Sequence, residues 1–381
     1  MNLILSVDPV RFPLTGIGRY TYELARVLES TDGVKRLRYF SGARFVSGLP
    51  SPSDTSDSGH GLRRMVQKSA LAIEAYRVLM PLLRARALRD CSDALYHGTN
   101  FFIPPFPGKS VATFHDLSPF TWAHCHAPQR IRYLQKELGK TLERADALIT
   151  DSEFTRRELA AYFSWPIEHI HAVPLASSEE FRPRTADELR DVLAGHGLEP
   201  GGYSLFVGTL EPRKNIETLL DAYGRLPAPL KKRWPLVLTG YQGWRNDEIR
   251  KRLDQAVDEG WARHLGFVPS EDLPLLFAGA RLFTFPSLYE GFGLPVLEAM
   301  SSGVPVVCSN SSSLPEVAGN AALMCDPQDT VALTELIARG LEDESWRVSA
   351  ITDGLTHAAS FSWQRCAMQT MDVYRRVLSV G

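Results

Sequence analysis

Two glutamates eight residues apart, Glu290 and Glu298, bracket the run Gly291-Phe292-Gly293-Leu294-Pro295. Glycines permit a tight backbone loop, and proline suits the first turn of a helix. A phosphate over that loop would meet free N–H groups and the positive end of the helix. Glu298, one turn into the helix, could accept hydrogen bonds from both hydroxyls of a ribose. Glu290 reads as the end of a strand, so the two carboxylates would serve different parts of one ligand. A second cluster, Gly208-Thr209-Leu210-Glu211-Pro212-Arg213-Lys214-Asn215, lies between a strand and a helix. Its Arg213 and Lys214 form a cationic pair suited to a diphosphate.

Two further segments stand in the first half. Thr15-Gly16-Ile17-Gly18-Arg19-Tyr20 follows the first strand, where glycines let a backbone approach a phosphate. Thr21 breaks the dinucleotide pattern, and no acid follows the run Leu37–Gly42, so an NAD-dependent dehydrogenase is disfavoured. Phe114-His115-Asp116 closes a strand at the edge where open α/β sheets gather ligands. Taken alone, His115 reads as a buried, hydrogen-bonded side chain. His124-Cys125-His126 matches no zinc spacing, and no metal or cofactor is expected.

These segments need a scaffold, and both halves alternate strands with helices. In the first half the strands are Leu3–Val7, Leu37–Phe40, Ala94–Gly98, Val111–Phe114, Ala147–Thr150 and Ile170–Val173. In the second they are Ser204–Val207, Leu236–Thr239, Leu265–Val268, Leu282–Phe285, Val304–Cys308 and Ala322–Met324. Helical spacing runs through 216–226, 248–257 and 331–341, and Ser152 suits a helix N-cap. This is an α/β chain: two Rossmann-like domains with parallel sheets, residues 1–175 and 176–360. The proline-bounded stretch Pro174–Pro183 reads as the linker. A last helix carries the stripe Trp363, Ala367, Met371, Tyr374 and Leu378.

Net charge is −2, which argues against a nucleic-acid partner. Residues 1–175 hold 22 Lys and Arg against 17 Asp and Glu, and the remainder 20 against 27, so the halves differ in task. Five scattered cysteines fit a reducing cytoplasm. Met1–Asp8 lacks the basic region of a signal peptide, and no apolar run approaches the ~20 residues that span a bilayer. Residues 47–61, rich in Ser, Gly, Pro and Asp, read as a mobile loop. Residues 62–89 set Arg63, Arg64, Lys68, Arg77, Arg84, Arg86 and Arg89 against Glu74 alone. That segment reads either as a basic amphipathic helix on an anionic membrane surface or as a solvated helix kinked at Pro81.

Glu290-x7-Glu298 with its Gly-Phe-Gly-Leu-Pro interior resembles the signature of retaining nucleotide-sugar glycosyltransferases of family four. The segments 208–215, 114–116 and 15–20 stand in that family's order, and Phe361-Ser362-Trp363 is similar to the start of its last helix. The resemblance implies a GT-B fold, an active site in the interdomain cleft and a C-terminal helix, 361–381, crossing back to the first domain. It implies that Glu298 holds the donor ribose, Arg213 and Lys214 the diphosphate, and Gly16 and Gly18 the phosphate side of the first domain. Glu290 with Gly291, Phe292, Gly293 and Leu294 would touch the donor sugar, and His115 would lie beside its reacting face. Many relatives carry Gly-Arg where this chain has Gly208-Thr209, so one phosphate-binding arginine is missing. Similarity is greatest to enzymes of bacterial surface polysaccharides such as O-antigen, often mannosyltransferases using GDP-mannose. The implied partners are a nucleotide-diphosphate sugar and a glycan acceptor on a lipid diphosphate at the inner membrane face. Tyr241 and Trp244 are candidates for stacking on the base. A sugar-nucleotide epimerase or a non-catalytic sugar-binding relative on the same fold is the alternative.

Overall fold

The computed structural model describes residues 1–14, 16–51, 70–125, 128–241, 243 and 247–379, with 70–78, 128–130 and 133 described as backbone only. Short apolar runs form two separate sheets. The first contains β1 (Asn2–Ser6), β2 (Arg36–Ser41), β3 (Arg44–Val46), β4 (Ala94–Gly98), β5 (Ser110–Phe114), β6 (Ala147–Thr150) and β7 (Ile170–Ala172) in the order β3-β2-β1-β4-β5-β6-β7. The second contains β8 (Ser204–Val207), β9 (Leu236–Thr239), β10 (Ala262–Gly266), β11 (Leu282–Phe285), β12 (Val306–Ser309) and β13 (Ala322–Cys325) in the order β10-β9-β8-β11-β12-β13. Every neighbouring pair is parallel except β2 with β3. Strands such as β4, β5, β6 and β9 are buried along their whole length, as expected where helices cover both faces.

The strand order reverses between β1 and β4 in one sheet and between β8 and β11 in the other. Ligands of open α/β sheets bind beyond the strand ends at such points. The segments 208–215 and 286–294 leave β8 and β11, so this topology brings Arg213, Lys214 and Glu290 to one place.

Two elements differ from the sequence reading. β10 spans Ala262–Gly266 rather than Leu265–Val268: Arg263 is held by the carbonyls of His196 and Gly197, so a half-polar segment pairs while part of the apolar run follows it. β3, unread from sequence, folds back on β2 through Gly42, whose φ is +64°. Pro174–Pro183 is irregular, yet Leu175, Ala176 and Phe181 are buried.

Helix α1 (Gly16–Glu29) follows β1, and α2 (Ala70–Leu88) contains Pro81. Arg84 of α2 turns inward to Asp8 at 3.0 Å and the Gly42 carbonyl at 2.7 Å, contrary to a membrane-facing role. Leu79, Leu82 and Leu83 are the exposed residues on that helix's outer side, with Arg86 beside them. Arg63, Arg64, Lys68 and most of the 47–61 loop lie outside the described residues.

Helix α3 (Glu153–Phe163) follows β6 and is N-capped by Ser152, whose hydroxyl accepts from Thr155 N. Helix α4 (Leu294–Ser301) follows β11. The last helix, α5 (Trp363–Ser379), packs on α1 and reaches β6, returning to the first sheet. Its stripe buries Trp363, Ala367, Met371 and Tyr374 but ends at Val377, and Leu378 is exposed. Tyr374 also reaches His97 at 2.6 Å, and His97 reaches Thr113 at 2.8 Å.

Candidate active site

The segment after β8 closes with one turn of 3₁₀ helix, Pro212–Lys214, and Asn215 in the left-handed region at φ 58°. The Asn215 amide donates to the carbonyls of Pro286 (3.0 Å) and Pro327 (2.6 Å), stitching this segment to the one after β11. Across that seam Lys214 Nζ meets Glu290 Oε1 at 2.5 Å, and Ser287 Oγ donates to the same oxygen at 2.6 Å. Arg213 lies 3.4 Å from Glu290 Oε2, donates twice to Glu211 at 2.7 and 3.1 Å, and reaches the Tyr289 carbonyl at 2.9 Å. Burial alone would raise the Glu290 carboxyl, but Lys214 and Arg213 outweigh it and hold it below the usual carboxylate range. Glu290 does not end a strand. β11 stops at Phe285, and the carboxylate is placed by the loop's own contacts.

At the start of α4, Gly293 adopts φ +107°, and a Cβ there would lie 2.5 Å from Leu314. Ser313 Oγ binds the carbonyls of Glu290 (2.9 Å) and Phe292 (2.7 Å), fixing the loop. Among the described residues no acceptor takes the N–H of Gly291, Phe292, Gly293 or Leu294, so the loop retains donors for an anion. Glu298 is buried one turn later; its backbone carbonyl is taken by Ser302, and its carboxylate has no hydrogen bond among the described residues. Burial pushes its carboxyl up to about 8, against the pull of Arg19 on α1.

His115 is buried, with Nδ1 at 2.8 Å from Asp151 Oδ2 and Nε2 at 2.9 Å from the Thr99 carbonyl. Burial lowers its pKa, but Asp151 and the carbonyl outweigh that and raise it. Nε2 faces a carbonyl, which can only accept, so it carries a hydrogen, and the ring is held at both nitrogens rather than free in the cleft. Its backbone lies at the domain junction, because a Cβ on Gly291 would come 1.8 Å from the His115 carbonyl. The junction continues through Gly291 O, which accepts from Ser152 Oγ (2.7 Å) and Thr155 Oγ1 (3.1 Å). Tyr289 Oη accepts from Leu117 N and donates to Glu158. Glu316 accepts from the N–H groups of Glu153 (2.8 Å) and Phe154 (2.6 Å) at the start of α3.

The structure therefore brings Arg213, Lys214, Glu290 and the 291–294 loop together, with His115 packed against Gly291. Gly16 is open on its Cβ side. Gly18 is buried, and a Cβ there would stand 2.9 Å from the Pro9 carbonyl, so this glycine seats α1 under the preceding loop. Trp244 lies outside the described residues. Tyr241 instead stacks obliquely on Phe267, ring centroids 5.0 Å apart, both half exposed beyond β9 and β10. Sequence reasoning missed Phe267, Asp151 and Glu316. Their partners lie at distances of 26 to 163 residues along the chain, which no local pattern marks. Among the described residues no cluster of three His, Cys, Asp or Glu could hold a metal, and all five cysteines are buried.

Two domains built on largely parallel sheets, with a C-terminal helix that returns from the second to the first, are the architecture of the GT-B class of glycosyltransferase. The family described as glycosyl transferases group 1 matches residues 196–354. The chain is 46% identical to the O-antigen chain mannosyltransferase B of Escherichia coli, over 98% of this chain and 100% of that one. It is 30% identical to the serotype-specific mannosyltransferase WbdA of Escherichia coli, over 99% of this chain but 48% of that one. Among solved structures it resembles Anabaena Alr3699/HepE in complex with UDP and glucose, with TM-score 0.73, 15% identity and coverage of 99% and 100%. It also resembles WaaG, a glycosyltransferase involved in lipopolysaccharide biosynthesis, with TM-score 0.70, 14% identity and coverage of 97% and 99%. The chain belongs to the group 1 glycosyl transferases.

Proposed function

We propose that this protein is a retaining mannosyltransferase that moves mannose from GDP-mannose to a glycan of bacterial O-antigen or a related surface polysaccharide. The observation that carries the reading is the end-to-end 46% identity to an O-antigen chain mannosyltransferase. The buried Lys214–Glu290–Arg213 cluster beside the open N–H groups of 291–294 supports it chemically.

In the transfer, the bond from the sugar's anomeric carbon to the diphosphate oxygen breaks, and the acceptor oxygen forms a new bond to that carbon on the same face. The acceptor proton passes to the departing phosphate oxygen. Negative charge grows on the diphosphate, where Lys214, Arg213 and the 291–294 N–H groups would stabilise it in a water-poor site. Glu290 would accept hydrogen bonds from the sugar, and Glu298 from the ribose. Gly16, open at the head of α1, would admit the phosphate side of the donor. No metal is assigned to the reaction, since this cluster supplies the positive charge.

The acceptor, in this reading, hangs from a lipid diphosphate at the cytoplasmic face of the inner membrane. Support comes from the exposed Leu79, Leu82 and Leu83 beside Arg86 and Arg89. No helix among the described residues is long and apolar enough to cross a membrane. Changing Leu82 and Leu83 to Ser and Arg86 and Arg89 to Glu should release the protein from anionic vesicles. Equal retention of variant and wild type would exclude contact through this face.

The activity test is incubation with GDP-mannose, UDP-glucose or ADP-glucose and a synthetic α-mannoside, with the product's anomeric configuration read by NMR. GDP release with a new α-mannosidic bond is expected. An inverted product, or an epimerised donor without acceptor, would overturn the reading.

A further inference from the structure

Beside the loop that carries Glu290 runs Ser309-Asn310-Ser311-Ser312-Ser313, the end of β12 and the residues after it. Four of its hydroxyls bond to that loop. Ser309 Oγ donates to the Ser287 carbonyl, Ser311 Oγ to the Leu288 carbonyl at 2.7 Å, and Ser313 Oγ to those of Glu290 and Phe292. Ser312 works the other way, because its Oγ accepts the Glu290 N–H at 2.9 Å. The same hydroxyl gives its proton to the Ser311 carbonyl at 2.7 Å, which leaves its lone pairs for Glu290.

This bond fixes a single peptide unit. The carbonyl of that unit belongs to Tyr289 and accepts from Arg213 Nη1 at 2.9 Å, while its N–H belongs to Glu290. A planar trans peptide points these two groups in opposite directions, so gripping both stops it from turning. Ser312 thus steadies a unit that holds Arg213 at one end and begins the residue whose carboxylate meets Lys214 at the other.

The backbone of Ser312 is strained to do so. Its φ is 55°, and among the described residues only three other non-glycine residues are positive. One of them is Asn215, which grips the same loop at the Pro286 carbonyl. Glycine enters this region freely and asparagine with some ease, but a serine does so at a cost. A glycine at 312 would relieve the backbone and supply no hydroxyl. Local strain of this kind gathers at functional sites, where the surrounding structure holds it in place.

We infer that Ser312 is a positioning residue of the transferase, its hydroxyl holding the Tyr289–Glu290 peptide so that Arg213, Glu290 and Lys214 keep one arrangement around the donor. The inference rests on the transferase reading above and adds what sets the geometry of its charged cluster. Pre-organised charge stabilises a transition state only while it stays in place, and a displacement of about 1 Å can cost ~10²-fold in rate.

Turnover should follow the hydroxyl, and melting temperature the backbone. The experiment is steady-state kinetics of the full chain with GDP-mannose and a short synthetic α-mannoside, beside thermal melts, on Ser312→Gly, Ser312→Ala and Ser312→Thr. Ser312→Gly should lower kcat about tenfold or more and leave the mannoside KM within about twofold. Ser312→Ala should lose the same kcat but melt below the glycine variant, since both lack the hydroxyl and only alanine keeps the strain. Ser312→Thr keeps the hydroxyl, so its kcat should stay within about threefold of wild type even though it melts lower. Where the threonine variant does not fold, the glycine and alanine variants decide. Wild-type protein that turns over GDP-mannose while folded Ser312→Gly keeps the wild-type kcat overturns the inference and leaves the transferase reading standing. A kcat that tracks melting temperature across the variants overturns it equally. Wild-type protein that turns over no nucleotide sugar brings down both.

Discussion

The ammonium of Lys214 and the carboxylate of Glu290 meet at 2.5 Å, joining the segments that leave β8 and β11 at the switch point of the second sheet. Arg213 lies 3.4 Å from the other oxygen of Glu290 and shares Glu211, so two cations and two carboxylates balance inside one buried cluster. Such a cluster holds positive charge in a low-dielectric place without isolating it. A diphosphate entering there would compete with Glu290 for Lys214.

That competition gives the first prediction. Lys214→Ala should lower kcat by about 10²–10³-fold, the scale of losing one preorganised stabilising donor. Arg213 still faces Glu290 in the variant, so the fold should survive. Turnover read beside a thermal melt decides the matter, and near-normal kcat in a folded variant would remove Lys214 from the mechanism.

Glu298 predicts a pH dependence. Its carboxyl is pushed up to about 8, well above its unfolded value near 4.3. Between those values the folded state binds the extra proton, so this residue's contribution to stability falls as pH rises through the window. Glu298→Gln should flatten that slope in urea titrations from pH 5 to 9. Donor binding runs the other way. A ribose diol donates to a carboxylate, so wild-type affinity for GDP should strengthen from pH 6.5 to 9 while the Gln variant stays flat. A wild-type Kd that does not change with pH would separate Glu298 from the ribose.

Tyr241 and Phe267 present a half-exposed aromatic pair at the ends of β9 and β10. Stacking of a base on an aromatic ring is worth about 1–3 kcal/mol. Phe267→Ala should therefore raise the donor KM by roughly fivefold or more and leave kcat nearly constant. Calorimetry with GDP checks the same residue without turnover, and an unchanged Kd would place the base elsewhere.

The alternation of strands and helices was legible because parallel strands buried on both faces read as continuous apolar runs, as Leu236–Thr239 does. The Glu290–Glu298 segment was legible because its glycines and proline carry backbone requirements that survive in the sequence. β10 was misplaced because its pairing residues include Arg263 and His264, while the apolar run continues past it to Phe267. The inward turn of Arg84 was hidden because its partner Asp8 is 76 residues away. His115 shows the limit most clearly. Its position at a strand end was readable, but its double engagement by Asp151 and Thr99 needs three strands side by side.

His97 should make the return of α5 sensitive to acid. Burial lowers its pKa to about 3, and as a neutral ring it links Tyr374 of α5 to Thr113 of β5. The unfolded chain takes up this proton below about 6.5, so stability should fall as pH drops from 6.5 towards 3. His97→Gln should remove much of that slope, measured as the urea midpoint against pH. A slope equal to wild type would assign the acid sensitivity to other groups.

Glu316 ties the two domains at the start of a helix. Its carboxylate takes the N–H groups of Glu153 and Phe154, which α3 leaves without intrahelical partners, and its charge faces the positive end of that helix. Ser152 caps the same helix from within the first domain and also donates to Gly291 O, so the helix start holds the second domain at two points. Because Glu316 is exposed, the contact is worth about 1 kcal/mol, the middle of the range for a cap. Glu316→Ala should weaken closure, raising both substrate KM values about fivefold and increasing the radius of gyration in X-ray scattering. Glu316→Gln keeps one acceptor oxygen and loses the charge, so it should fall between the two. Scattering curves that superpose for all three proteins would show that Glu316 does not hold the two domains together.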